Sequence, residues 1–141
     1  MINSFRGKYA FLSNFYLTPI KYEGITYLNN EAAFQAQKCV DPVDKEQFCK
    51  LSPTEAKKLG RKVTLRSDWE DIKVDIMTKI VELKFTQNED LKVKLLETKD
   101  EPLEEGNTWG DKIWGTVNGE GKNLLGKILM KTREKIKNNE I

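Results

Sequence analysis

Apolar and polar positions along the chain alternate first with a period of two and then with a period near 3.6. Ile20-Lys21-Tyr22-Glu23-Gly24-Ile25-Thr26-Tyr27 has strand periodicity on either side of Glu23-Gly24, which predicts a hairpin turning at that dipeptide. Asn29 or Asn30 then supplies a cap, and Ala32, Ala33 and Ala36 favour a helix that Pro42 should end or interrupt. Ser52, Pro53 and Glu55 form the signature of a capping box, so a second helix is predicted from there to a stop at Gly60. Ser67 and Glu70 repeat that signal. The helix after them runs to about Phe85 with an inward stripe of Trp69, Ile72, Ile76, Ile80 and Leu83.

Asn88 can cap a further helix carrying Leu91, Leu95 and Leu96. The glycine-rich, acidic stretch from Glu101 to Gly121 breaks the periodicity and reads as loop and short strands. It is long for a structureless connection, which favours a binding loop. Gly121-Lys122-Asn123 leads into a last helix with Leu124, Leu125, Ile128, Leu129 and Met130. The expected fold is therefore α+β: one domain over residues 1–141, mostly helical, with a small sheet. The absence of βαβ alternation argues against a dinucleotide fold.

Composition narrows the chemistry. Apolar residues make up 38% of 141 residues, enough for a core without disulfides or a structural metal. The 24 basic and 22 acidic side chains leave a net charge of +2, too little to mark a general nucleic-acid binder. There is no histidine, which removes imidazole ligands and any Ser-His-Asp triad. Cys39 and Cys49 lack the partners of a zinc site, and we expect both to be reduced. With no apolar run near the length of a membrane span and no signal-peptide pattern, we expect a cytoplasmic protein with no membrane partner, no metal and no cofactor.

Glu31, Gln35 and Lys38 stand at i, i+4 and i+7 and so share one face of the first helix, with Phe34 beside it. A carboxylate in a first helical turn gains from the free amides there. The plain alternative is a solvent-facing stripe. Asp111, three residues before Trp114-Gly115, could hold a ribose hydroxyl while the ring stacks on a base; equally, it could cap a turn beneath a core tryptophan. Trp69 heads an apolar stripe, so core packing is its default. Arg61, Arg66 and Lys73 could meet phosphate or simply be solvated. Gly119-Glu120-Gly121-Lys122-Asn123 lacks the spacing of a phosphate-binding NTPase loop, although the start of the last helix could still hold a phosphate. Two carboxylates without histidine suit glycosidic hydrolysis, and an amine such as Lys38 could instead form a Schiff base with a ring-opened sugar.

These residues also carry a family resemblance. Phe11-Leu12-Ser13-Asn14-Phe15-Tyr16, Glu31-Ala32-Ala33-Phe34-Gln35-Ala36-Gln37-Lys38, Gly60-Arg61, Arg66-Ser67-Asp68-Trp69-Glu70 and Lys84-Phe85 occur in order. They are followed by Asp111-Lys112-Ile113-Trp114-Gly115 and by the run from Gly121 to Met130. Together they resemble the NADAR, or YbiA-like, family along nearly the whole chain. That resemblance implies a mainly helical α+β fold and cleavage of N-glycosidic bonds at ribose. The implied substrates are phosphorylated aminopyrimidine-ribose intermediates of riboflavin synthesis or ADP-ribose attached to guanine in nucleic acid, with transient nucleic-acid contact in the second case. It places catalysis on Glu31, Trp69 and Asp111, with Lys38 as a participant. Asn14, Phe15, Gln35, Arg61, Trp114 and Asn123 would bind or support substrate. Thr116-Val117 stands where many relatives have a further glycine, a departure in the loop that would shape substrate choice. The contrasting expectation is a non-catalytic module that binds ADP-ribose or a nucleotide without releasing a base.

Overall fold

The turn Glu23-Gly24 has φ of 48° and 86°, the pair of positive values that a two-residue hairpin with right-handed strand twist requires. It joins β1 (Leu17–Tyr22) to β2 (Ile25–Asn29), antiparallel, with Ile20 opposite Tyr27 and Tyr22 opposite Ile25. The register shifts between Leu17 and Ile20, around Pro19, which cannot donate to a ladder. The outer edge of β1 is closed by a side chain: Gln87 accepts from the Lys21 amide at 2.9 Å and donates to its carbonyl at 2.8 Å. One carboxamide thus takes the place of a third strand at that residue.

The computed structural model describes residues 1–141, which divide into two compact units, Asn14–Gln87 and the pair of segments Met1–Ser13 and Asn88–Ile141. The first unit holds the hairpin and four helices: α1 (Asn30–Ala36), α2 (Pro42–Glu46), α3 (Pro53–Gly60) and α4 (Trp69–Gln87). Asn29 caps α1 by accepting from the Ala32 amide, and Ser52 and Glu55 form the complete capping box of α3.

Three expectations need correction here. The first helix ends at Ala36 rather than running on towards Pro42, and tightens into bonds from Gln37, Lys38 and Cys39 to residues three positions earlier. Gln37 donates from its side chain to the Ala33 carbonyl at 3.0 Å and so closes the helix end. Pro42 opens α2 instead of stopping α1, as a proline in the first turn can. Helix α4 starts at Trp69, so Ser67 lies outside the cap position expected of it. The stripe of α4 is also rotated: Trp69 and Ile80 are buried as expected, but Met77, Val81, Lys84 and Phe85 complete the set, and Ile72, Ile76 and Leu83 are only half-buried.

The second unit contains a 3-10 helix (Gly7–Leu12), α5 (Glu89–Glu97) and α6 (Leu124–Lys137). Leu91 and Leu95 of α5 and Leu125, Ile128, Leu129 and Ile136 of α6 are buried. The segment between these helices is held by isolated bridges. Ile2 pairs with Leu103, Gly106 with Thr116, and Val117 with Glu120 across Asn118 and Gly119, both at positive φ. Both cysteines are free thiols. No helix is long and apolar enough to cross a membrane.

Candidate active site

All seven residues of α1 are buried, which excludes the solvent-facing reading of its polar face. Glu31 is 9% exposed and Gln35 7%. Gln35 Nε2 donates to Glu31 Oε2 at 3.0 Å, the i+4 contact anticipated from spacing. The Glu31 amide donates to the Asn14 carbonyl at 3.0 Å. Asn14 is itself buried, donating to Met77 Sδ at 3.4 Å and accepting from Asn30 Nδ2 at 3.3 Å. The carboxylate therefore rises from a helix start whose backbone and neighbouring side chains are fixed.

Lys38 lies beyond the helix end. Its Nζ donates to the Gly60 carbonyl at 3.3 Å, and its own carbonyl accepts from the Arg66 amide at 3.0 Å. Burial pushes its pKa below the ordinary lysine value; the negative charge of Glu31 opposes that fall and the Arg61 guanidinium adds to it. Lys38 and Glu31 thus sense each other electrostatically within one unit. Trp69 is 6% exposed, with its ring 5.1 Å from that of Phe34 at a tilt of 53°. Its contact with the α1 face is through Phe34. Phe15 is exposed, with Lys57 Nζ 5.9 Å from its ring centre, and Arg61 is exposed at the end of α3.

The remaining candidates belong to the second unit. Asp111 Oδ1 accepts from the amides of Ile113 and Trp114 at 3.0 and 2.9 Å, so this oxygen holds a turn. Asn107, buried and not singled out from the sequence, fixes the same turn from outside: it accepts from the Asp111 amide at 3.0 Å and donates to the Asp111 carbonyl at 2.9 Å. Trp114 is half-buried. Trp109 is exposed, with the Arg6 guanidinium 5.6 Å from its ring centre.

Asn123 adopts a left-handed conformation before α6 and does not cap it. Its side chain accepts from the Glu105 amide at 3.0 Å and donates to the Leu103 carbonyl at 2.9 Å. The amides of Lys122, Asn123, Leu124 and Leu125 already donate to the carbonyls of Lys112, Gly115, Ile113 and Trp114. The start of α6 consequently offers none of those four amides to a phosphate, contrary to the sequence expectation.

One further group escaped sequence reasoning. Lys84, in the family-like pair Lys84-Phe85, is 1% exposed, with its Nζ 5.5 Å from the ring centre of Tyr16 and 5.2 Å from that of Phe85. Burial pushes its pKa down to about 7. The available signal was its place at i+4 from Ile80, inside the apolar stripe.

The family model described as the NADAR domain matches residues 3–137, and the chain belongs to that family. Among its curated relatives, N-glycosidase YbiA from Shigella flexneri is 41% identical over 132 residues, covering 91% of this chain and 82% of the relative. The riboflavin biosynthesis protein VVA0006 of Vibrio vulnificus is 38% identical over 132 residues, which are 91% of this chain and 36% of that protein. The NMR structure of the Escherichia coli protein YbiA superimposes with a TM-score of 0.85 at 35% identity, covering 99% of this chain and 89% of that one. The fold is thus the α+β, small-sheet fold of YbiA, as the resemblance implied.

Proposed function

We propose that this protein is a hydrolase that cleaves the N-glycosidic bond between ribose and a base-like leaving group, with Glu31 as its principal acid/base or charge-stabilising residue. The observation that carries this reading is the buried Glu31 carboxylate, held by Gln35 in the first turn of α1, in a chain whose relatives include proteins named N-glycosidase. As the C1′–N bond breaks, positive charge develops on the sugar ring. An ionised carboxylate in a low-dielectric setting stabilises that charge and can take a proton from the water that adds at C1′. The departing base takes up a proton from solvent, so that overall one water is divided into the hydroxyl left at C1′ and the proton gained by the base.

The other roles follow from the resemblance and from the chemistry each group retains. Lys38 is a charge partner of Glu31; a Schiff base from its amine is the competing route. Asp111 orients ribose hydroxyls or water, and Trp114, Asn14 and Phe15 line the substrate. Trp69 shapes the α1 face through Phe34. Arg61, exposed and cationic, suits a phosphate.

A phosphorylated aminopyrimidine-ribose compound is the preferred substrate class. It is favoured by the near-neutral charge and by the relative named as a riboflavin biosynthesis protein. The test is to incubate the purified protein with that compound and, separately, with an ADP-ribosylated guanine oligonucleotide, and to measure free base and free ADP-ribose by chromatography. Release of base from the first substrate, abolished in Glu31→Gln, is the expected result. Cleavage of the second alone would move the substrate assignment to nucleic acid. Tight binding without release of either product would overturn the enzymatic reading.

A further inference from the structure

Gly60 ends α3 under conditions that do not explain a glycine. The predicted stop at Gly60 holds, but glycine is usually favoured at a helix end in the left-handed position just past it. Instead it is the last helical residue; the next residue, Arg61, has φ of −80°, and Gly60 is not among the residues with positive φ. At a helical position alanine is the better helix former. Packing supplies the reason. A Cβ on Gly60 would stand 2.0 Å from Gln35 Oε1 and 2.8 Å from its Cδ, so the carboxamide of Gln35 occupies the space a side chain would need.

That carboxamide is the group that holds Glu31. Its Nε2 donates to Glu31 Oε2, while its Oε1 is buried without a hydrogen-bond partner and rests against the bare Cα of Gly60. A buried carbonyl oxygen left in this way is costly, apart from whatever a weak Cα–H contact returns. Gln35 keeps its place because α3 closes over it, and the Gly60 carbonyl also receives Lys38 Nζ at 3.3 Å. One residue of α3 thereby touches both Gln35 and Lys38.

We propose that Gly60 is a positioning residue for Glu31: the missing side chain lets Gln35 lie over the end of α3 with its amide fixed on the carboxylate. This rests on the assignment of Glu31 to catalysis, but the contact itself is testable without it. Gly60→Ala should push the carboxamide away, and because the clash is with the far end of a flexible side chain, the fold should accommodate it. In nitrogen-edited NMR spectra, the Gln35 side-chain amide protons should lose their hydrogen-bonded shift and their exchange protection in Gly60→Ala. Glu31→Ala should produce the same loss. Unchanged Gln35 amide signals in Gly60→Ala would overturn the proposal whether or not any substrate is cleaved.

The kinetic arm uses the same pair. Gly60→Ala should lower kcat by about tenfold or more with KM changed less than threefold, and so should Gln35→Ala. The double variant should be no worse than Gln35→Ala alone, because the alanine at position 60 then has nothing left to displace. Losses that multiply in the double variant would overturn the proposal, since Gly60 would then act by some path other than Gln35. If the wild-type protein cleaves neither substrate while the NMR result holds, the functional assignment fails and the positioning contact stands.

Discussion

Helix α1 and the segment from Glu101 to Asn123 both concentrate polar side chains, and they use them in different proportions. In the segment, the side chains of Asn107, Asp111 and Asn123 bond to backbone amides and carbonyls of the segment itself. They replace the ladders that an irregular stretch lacks. Around α1, Asn29, Gln37 and Lys38 bond to backbone at the helix ends, but side chain also meets side chain: Gln35 with Glu31, Asn30 with Asn14, Gln37 with Tyr27. Polar groups bound to backbone chiefly build structure. A buried carboxylate held by another side chain is instead fixed in orientation, as the proposed chemistry at a sugar ring needs.

The comparison is broken or sharpened by four measurements. The largest effect is expected at α1, where Glu31→Gln should reduce base release by about a hundredfold to ten-thousandfold. Its urea midpoint should stay close to that of the wild type. A large fall in stability with residual turnover would place Glu31 among the structural groups. In the loop the pattern should invert. Asn107→Ala removes two well-formed, partly buried bonds to the Asp111 turn and should cost about 1–3 kcal/mol of stability in chemical denaturation. Asp111→Asn retains the Oδ1 acceptor that holds the turn and removes only the charge. Base release should fall at least tenfold with little change in the thermal midpoint; full activity would confine Asp111 to its turn.

A smaller effect depends on pH. Lys84 has a folded pKa of about 7, below its usual 10.5, so between those values the unfolded chain binds more protons than the folded one. Stability from this group therefore rises as pH increases from about 7 towards 10, and below pH 7 the penalty is complete and constant. Urea midpoints measured across that range should climb in the wild type and lose that component in Lys84→Met. An identical climb in both would remove Lys84 as its cause.

Local signals were legible wherever a few adjacent residues decide the outcome. The Glu23-Gly24 turn, the Asn29 cap and the Ser52–Glu55 box depend on near-neighbour hydrogen bonds and backbone sterics, and each formed where expected. The Glu31–Gln35 pair was readable for the same reason, since i+4 spacing alone brings two side chains together. Ser67 failed as a cap because Trp69, not the residue after Ser67, opens α4. Periodicity found the α4 stripe but not its exact rotation, because neighbouring elements decide which flank of a helix is covered. That is why Lys84 is buried while Leu83 is only half-buried.

The sequence by itself determined the helices and hairpin, the i+4 pairing of Glu31 with Gln35 and, through ordered motifs, the family. It also marked Gly60 as the end of α3. Only the tertiary structure decided that the face of α1 is buried, that the amides at the start of α6 are already bonded, and that Gly60 is bare to make room for Gln35. Those outcomes depend on residues brought together from distant parts of the chain. Spacing along one helix fixes which side chains share a face, but the elements packed against that face decide what it can do.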